Sequence, residues 1–218
     1  MNRGTLKTHA ADFAGDKNMT RYSSTQYNTA ADRSQEQFAM DTRALFKDMT
    51  PVTTTADDAE YDLPTDFMFE DFVTYDGNEL TPASQHDIQK AYGSGWDSLE
   101  GTPTHFMINP EEAQKSVLLV PIPQDAKTLG MRYFPLPAAM SSDSSTPLNS
   151  SALMAQFHLG LAAFMAWLLL TGEQSTPALV EKRRELLDIY NDFVTKAIDT
   201  FRNTATAPIY IKGCRTWR

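Results

Sequence analysis

Cysteine is almost missing from this chain: Cys214 is the single one among 218 residues. That excludes an intramolecular disulfide framework and any cysteine-rich zinc site. Positive charge is also short, with 19 Lys and Arg against 28 Asp and Glu, for a net charge of −9 and a pI of about 4.9. A general nucleic-acid binder needs clustered positive charge facing phosphates, so that class is set aside. The N-terminal stretch MNRGTLKTHAADFAGDKN holds charges but no apolar run of seven or more. No secretory signal is expected, and the protein is read as soluble and made inside the cell.

Catalytic signatures are absent too. HExxH, GxSxG, the Walker-type GxxxxGK[ST] and GxGxxG do not occur. Gly93-Ser94-Gly95 runs into Trp96-Asp97 without a third glycine, which reads as a turn, not as a phosphate cradle. The histidines His9, His86, His105 and His158 have no metal-ligand spacing, and His158, inside an apolar run, reads as a hydrogen-bonded core residue. No Asp-rich calcium loop of the D-x-[DN]-x-[DN]-G kind is present. No cofactor, no metal and no catalytic residue are expected.

What is present suffices for a core, since 41% of residues are hydrophobic and 11% aromatic. Residues 152–170, ALMAQFHLGLAAFMAWLLL, carry no charge and approach the length that crosses a bilayer. Gln156 and His158 lie inside the run, and its flanks lack the Lys and Arg that set topology. A central helix wrapped by neighbours is the reading preferred over a membrane span.

Along the chain, a short helix is expected at 3–14 before the Gly15-Asp16-Lys17-Asn18 turn, and a second over 27–46 from Tyr27, Ala30, Ala31, Ser34, Phe38 and Leu45. Thr50-Pro51 closes the helical region. From there the pattern becomes that of strands, at 60–63, 67–75, 79–80, 105–108, 117–122 and 129–134, with Asp76-Gly77 as a tight hairpin and Ser84/Asp87 as a capping box for a short helix. A Ser-rich linker follows at 138–151. Thr176 and Pro177 then open a last helix reaching about residue 202.

That last helix has the clearest pattern in the sequence. At about 100° per residue, Leu179, Leu186, Tyr190, Phe193, Val194, Ala197 and Phe201 share one stripe. Glu181, Glu185, Asp188, Asp192 and Asp199 share the opposite line. Such a row is a solvated face or a surface that repels polyanions. A second acidic region, Asp57, Asp58, Glu60, Asp62, Asp66, Glu70, Asp71 and Asp76, has no Lys or Arg and is where a carboxylate pair for glycan hydrolysis would have to lie. The last eleven residues, PIYIKGCRTWR, reverse the charge: Lys212, Arg215 and Arg218 stand among Ile209, Tyr210, Ile211 and Trp217 with no acid. Such a basic, aromatic tail suits docking in a partner's groove.

The segments YDLPTDF (61–67), VTYDGNELTP (73–82), GTPTHFMINP (101–110), VLLVPIP (117–123) and MRYFPLP (131–137), with the MNRGTLKTHAADFAGD start and the closing helix pair, resemble the adaptor, or head–tail connector, proteins of tailed bacteriophages. The resemblance covers nearly the whole chain and rests on the order and spacing of the pieces. At 18–43 the chain departs from it, lacking the more apolar helix with tryptophan or leucine common there. It implies an α+β fold: a helical bundle with an inserted antiparallel β-domain and an extended C-terminal tail. The expected division is N-terminal bundle helices at 1–50, the β-domain at 51–137, the linker at 138–151, a helix pair at 152–203 and the tail at 204–218. It further implies a structural virion protein of the neck, not an enzyme. Twelve copies would form a ring joining the portal protein to a tail or nozzle protein, and DNA would pass through the lumen during packaging and ejection without specific binding. The row at Glu181, Glu185, Asp188, Asp192 and Asp199 would then line the channel, and Ile209, Tyr210, Ile211, Lys212, Arg215, Trp217 and Arg218 would dock on the portal. Two alternatives remain open: an adaptor that also hydrolyses cell-wall glycan, or a membrane-inserted protein using 152–170.

Overall fold

The computed structural model of the chain describes residues 1–109, 115–150 and 152–204. In chain order the elements begin with α1 (Arg3–Ala14), α2 (Ser24–Thr42), β1 (Lys47–Asp48), β2 (Val52–Thr53), β3 (Glu60–Asp62), β4 (Phe67–Tyr75), β5 (Asn78–Glu79) and β6 (Thr81–Pro82). They continue with α3 (Gln85–Tyr92), β7 (Glu100–Gly101), β8 (His105–Asn109), β9 (Ser116–Val120), β10 (Ile122–Pro123) and β11 (Thr128–Pro135). The last helices are α4 (Ala152–Ala155), α5 (His158–Thr171) and α6 (Pro177–Thr204). The chain is thus a mixture of helices and sheets. It divides into two compact units, one from residues up to Ala44 and from Ala139 onward, the other Leu45–Ala138.

In the first unit α5 packs against α1, α2 and α6. Leu161, Ala162, Ala163, Met165 and Ala166 are buried completely. With apolar residues all round, α5 has no face that water would favour, so its neighbours wrap it. The apolar run does not form one helix: Gln156 and Phe157 make a turn that separates α4 from α5. The expectation of one central helix over 152–170 is thereby corrected to two, and among the described residues no helix is long and apolar enough to cross a membrane. Gly160 sits where a Cβ would lie 2.6 Å from the Cβ of Phe193, so the α5–α6 contact depends on the missing side chain.

Side chains finish the ends of these helices. Ser23 and Gln26 form a full capping box on α2, and Asn2 caps α1. Arg183 donates to the carbonyls of Leu170 and Glu173 at the end of α5. Arg43, in the left-handed region at φ 46°, ends α2 at Thr42, four residues short of the expected helix end at 46.

His158 departs from expectation as well. It is 0% exposed, yet neither ring nitrogen makes a full hydrogen bond among the described residues. Burial, aided by the N-terminal amine, pushes its pKa down to about 4, against a weak pull from the Pro147 carbonyl.

Among the described residues the second unit contains three sheets. The first has the order β1-β11-β4-β5, with β2 also on β11; the second is β3-β9-β8-β6; the third pairs β10 with β7. The β6–β8 and β10–β7 pairs are parallel, so the expectation of a purely antiparallel domain is corrected to a mixed one. Asp76 (φ 52°) and Gly77 (φ 79°) both adopt the left-handed conformation that a two-residue hairpin requires, and Tyr75 pairs with Asn78 across it. Tyr61, Leu63, Phe67, Val73, Tyr75, Phe106, Val117, Leu119, Leu129, Met131 and Tyr133 belong to one buried cluster.

Two outcomes follow from the helical unit. Gly160→Ala forces Phe193 or the helix axis to shift, and urea denaturation is expected to show a loss of about 1–3 kcal/mol. A wild-type midpoint would contradict the close approach. The second concerns pH. His158 is neutral when folded and titrates near the ordinary histidine value when unfolded, so the unfolded chain binds the extra proton between about pH 6.5 and 4. Stability is therefore full above about 6.5 and falls as pH drops through that window, by up to about 3 kcal/mol. His158→Gln is expected to flatten this part of a pH–stability profile.

Candidate interaction surfaces

The acidic row of the last helix depends on how α6 begins and what it buries. Thr176 caps it by accepting from the Leu179 amide at 3.3 Å, and Pro177 takes the first helical position. Leu186, Tyr190 and Ala197 are buried, while Leu179, Phe193, Val194 and Phe201 are half-buried. The predicted stripe is thus the packing face. Phe164 of α5 lies 4.6 Å from the Tyr190 ring. The Tyr190 hydroxyl donates to Asp41 at 2.6 Å, and burial, reinforced by that carboxylate, raises its pKa well above the phenol range.

This packing turns Glu181, Glu185, Asp188, Asp192 and Asp199 outward, and all five are exposed. At 1.5 Å per residue the row spans about 27 Å. Lys182 reaches Glu185 at 3.4 Å and Lys196 pairs with Asp192; both lysines sit on the flanks. Asp188 stands i,i+3 from Glu185 and i,i+4 from Asp192, with the exposed Arg184 four residues before it.

Sequence periodicity missed a second feature of α6. Val180 is 53% exposed and Ile189 37%, and Leu187 and Ile198 are half-buried. Val180, Leu187, Val194 and Ile198 lie along one flank between the packing face and the acidic row. The signal was there in the i, i+7 spacing, hidden beside a stronger stripe.

The acids at 57–76 do not converge on a reaction centre. Asp58 accepts the Glu60 amide at 3.2 Å, Glu60 accepts the Ser116 hydroxyl and Asp76 pairs with Lys127 at 3.5 Å. Asp66 takes Lys47 at 3.0 Å and the Tyr133 hydroxyl at 2.8 Å. Burial works to raise the Asp66 pKa, but those donors leave it below the ordinary value, the opposite of what a general acid needs. Asp48 and Asp62 border an open hollow of about 320 Å³ with Lys47 and Tyr133. The Arg132 hydrogen bond holds Asp48 low, so it too is ionised. Among the described residues no group of three or more His, Cys, Asp or Glu could hold a metal ion.

The tail residues Ile209, Tyr210, Ile211, Lys212, Arg215, Trp217 and Arg218 lie outside the described residues. Since Asp188 meets two carboxylates against the one cation of Arg184, Asp188→Asn is expected to stabilise the protein by about 0.2–0.5 kcal/mol in urea denaturation. Destabilisation would mean that the carboxylate makes a favourable contact in the isolated chain. In comparison with known proteins, a family model described as SU10 adaptor protein matches residues 1–209. No curated protein matches the chain.

Proposed function

Because this chain belongs to the SU10 adaptor protein family of bacteriophages, we propose that it is a structural protein of the virion neck whose copies form a dodecameric ring between the portal and the tail. The match across 1–209 carries this reading. In it, the helical unit is the bundle of the ring and Leu45–Ala138 is the inserted domain. DNA passes through the lumen during packaging and ejection without being held.

The exposed row on α6 supports the channel role. Duplex DNA carries one negative charge per about 1.7 Å. A ring of carboxylates at Glu181, Glu185, Asp188, Asp192 and Asp199 offers that duplex no counterion and no site at which to stop. The apolar flank at Val180, Leu187 and Ile198 supplies area for a neighbouring copy, and a ring contact joins two different faces of the chain. The tail, with Ile209, Tyr210, Ile211, Lys212, Arg215, Trp217 and Arg218, docks on the portal, its cations and aromatic anchors entering a groove there.

Light scattering on the purified protein, alone and mixed with a portal ring, tests the assembly. The expected result is a ring-sized species, formed either alone or only on the portal, and loss of portal binding when residues 208–218 are deleted. A monomer or dimer that ignores the portal would refute the proposal. For the channel, replacing Glu181, Asp188 and Asp199 together by Lys is expected to slow DNA ejection while rings still assemble. Ejection at the wild-type rate would remove the row from the lumen.

A further inference from the structure

We propose that the outer face of the five-stranded sheet is a docking surface for a basic, apolar-anchored segment of the protein on the tail side of the ring; this rests on the adaptor reading above. An antiparallel sheet that buries one face ordinarily presents polar side chains on the other. Here the inner face follows that rule, with Leu129, Met131 and Tyr133 of β11 and Val73 and Tyr75 of β4 in the core. The outer face does not. Arg132 pairs with Phe72 in register on that side. Phe46, immediately before β1, is 63% exposed, and Leu136, just past β11, is 41% exposed.

The cation on this face is matched, and Asp71 is the acid it leaves for a partner. The Arg132 guanidinium lies 5.3 Å from the Phe46 ring centroid and 5.3 Å from that of Phe72. Its Nε donates to Asp48 at 2.8 Å. The cation is thereby held between two rings and matched by a carboxylate. Asp71, the extra residue at the β-bulge opposite Arg132 and Tyr133, is exposed and adds its field to the same place. Elsewhere in the unit Lys47 pairs with Asp66 and Lys127 with Asp76.

The whole unit has the same sign. Leu45–Ala138 contains five Lys or Arg against sixteen Asp or Glu, a balance of −11 in a chain of −9. Copies of such a unit repel one another and repel DNA. The surface complementary to aromatic rings bordered by an exposed carboxylate is a protein segment in which Lys or Arg flanks an apolar side chain: the apolar group covers Phe46 and Phe72, and the cation meets Asp71.

The test places Phe46→Ser and Asp71→Lys, singly and together, in the adaptor of assembling phage. Both positions are exposed, so circular dichroism and portal binding are expected to match the wild type. Attachment of the tail-side component to portal–adaptor complexes is expected to weaken by about tenfold or more in the double variant, leaving DNA-filled heads without complete tails. Should Phe46→Ser fail to fold, Asp71→Lys alone, which removes no packing, must show the weakened attachment. Wild-type tail attachment in the double variant overturns the proposal. Loss of ring formation or portal binding with normal folding also overturns it, by placing the face inside the ring. Failure of the adaptor reading itself is distinct: there the wild-type chain would not bind the portal.

Discussion

The structure depends on burying one helix that has no polar face. The fourteen residues of α5, His158–Thr171, contain no charge, and α1, α2 and α6 surround them. Two of those helices come from the start of the chain and one from its end. The core of this unit therefore cannot close until residues near the two ends meet, and Leu45–Ala138 must leave and return between them. The hydrophobic demand of one segment fixes the discontinuity of the whole unit. It also explains the polar work at the margins: Arg183 closes the end of α5, and Arg3 and Lys7 reach across to Asp143 at 3.0 and 2.8 Å, tying the returning chain to α1.

Within Leu45–Ala138 the organising pair is β4 with β11. Its register puts Val73, Tyr75, Leu129, Met131 and Tyr133 on the side of the core. A one-residue slip would exchange those side chains with Phe72 and Arg132. The tight turn at Asp76-Gly77 then sends the chain from β4 into β5 with little freedom. Short strands such as β6, β7 and β10 fill in around this pair, and they include both parallel pairings. Their geometry is set by loops that return from elsewhere and not by hairpins.

These physical origins decide what could be read from the sequence. Elements whose information is local were legible: α1 with its Gly15 stop, β4 to its limits at Phe67 and Tyr75, the Ser84/Asp87 cap, the start of α6 at Pro177 and both of its faces. Elements specified by distant partners were not. Lys47–Asp48 is a strand because it lies beside Tyr133 and Arg132, while its own residues looked like the continuation of a helix. The break at Gln156 and Phe157 was hidden because an uncharged apolar run gives no period to interrupt. Membership of the adaptor family was legible from the order of the segments at 61–137, since that order survives where each piece alone is unspecific. The aromatic outer face around Arg132 was not, because Phe46, Phe72 and Arg132 are far apart in sequence and meet only through strand register.

Like charges on one helix face cost a few tenths of a kcal/mol per close pair. Lys182 and Lys196 pair with Glu185 and Asp192 from the flanks, and Asp188 has two acids within a turn against the one cation of Arg184. The packing of α6 gains nothing from this row, since its apolar stripe lies on the opposite side. A feature that costs stability and packs against nothing in its own unit is explained best by what it excludes. In the adaptor reading the excluded contact is with the phosphate backbone, for a channel that bound its duplex at many sites would stop it. The acidity of Leu45–Ala138 acts differently. In the proposed docking, Asp71 borders an apolar face, so a partner that covers that face is a basic protein segment and not DNA.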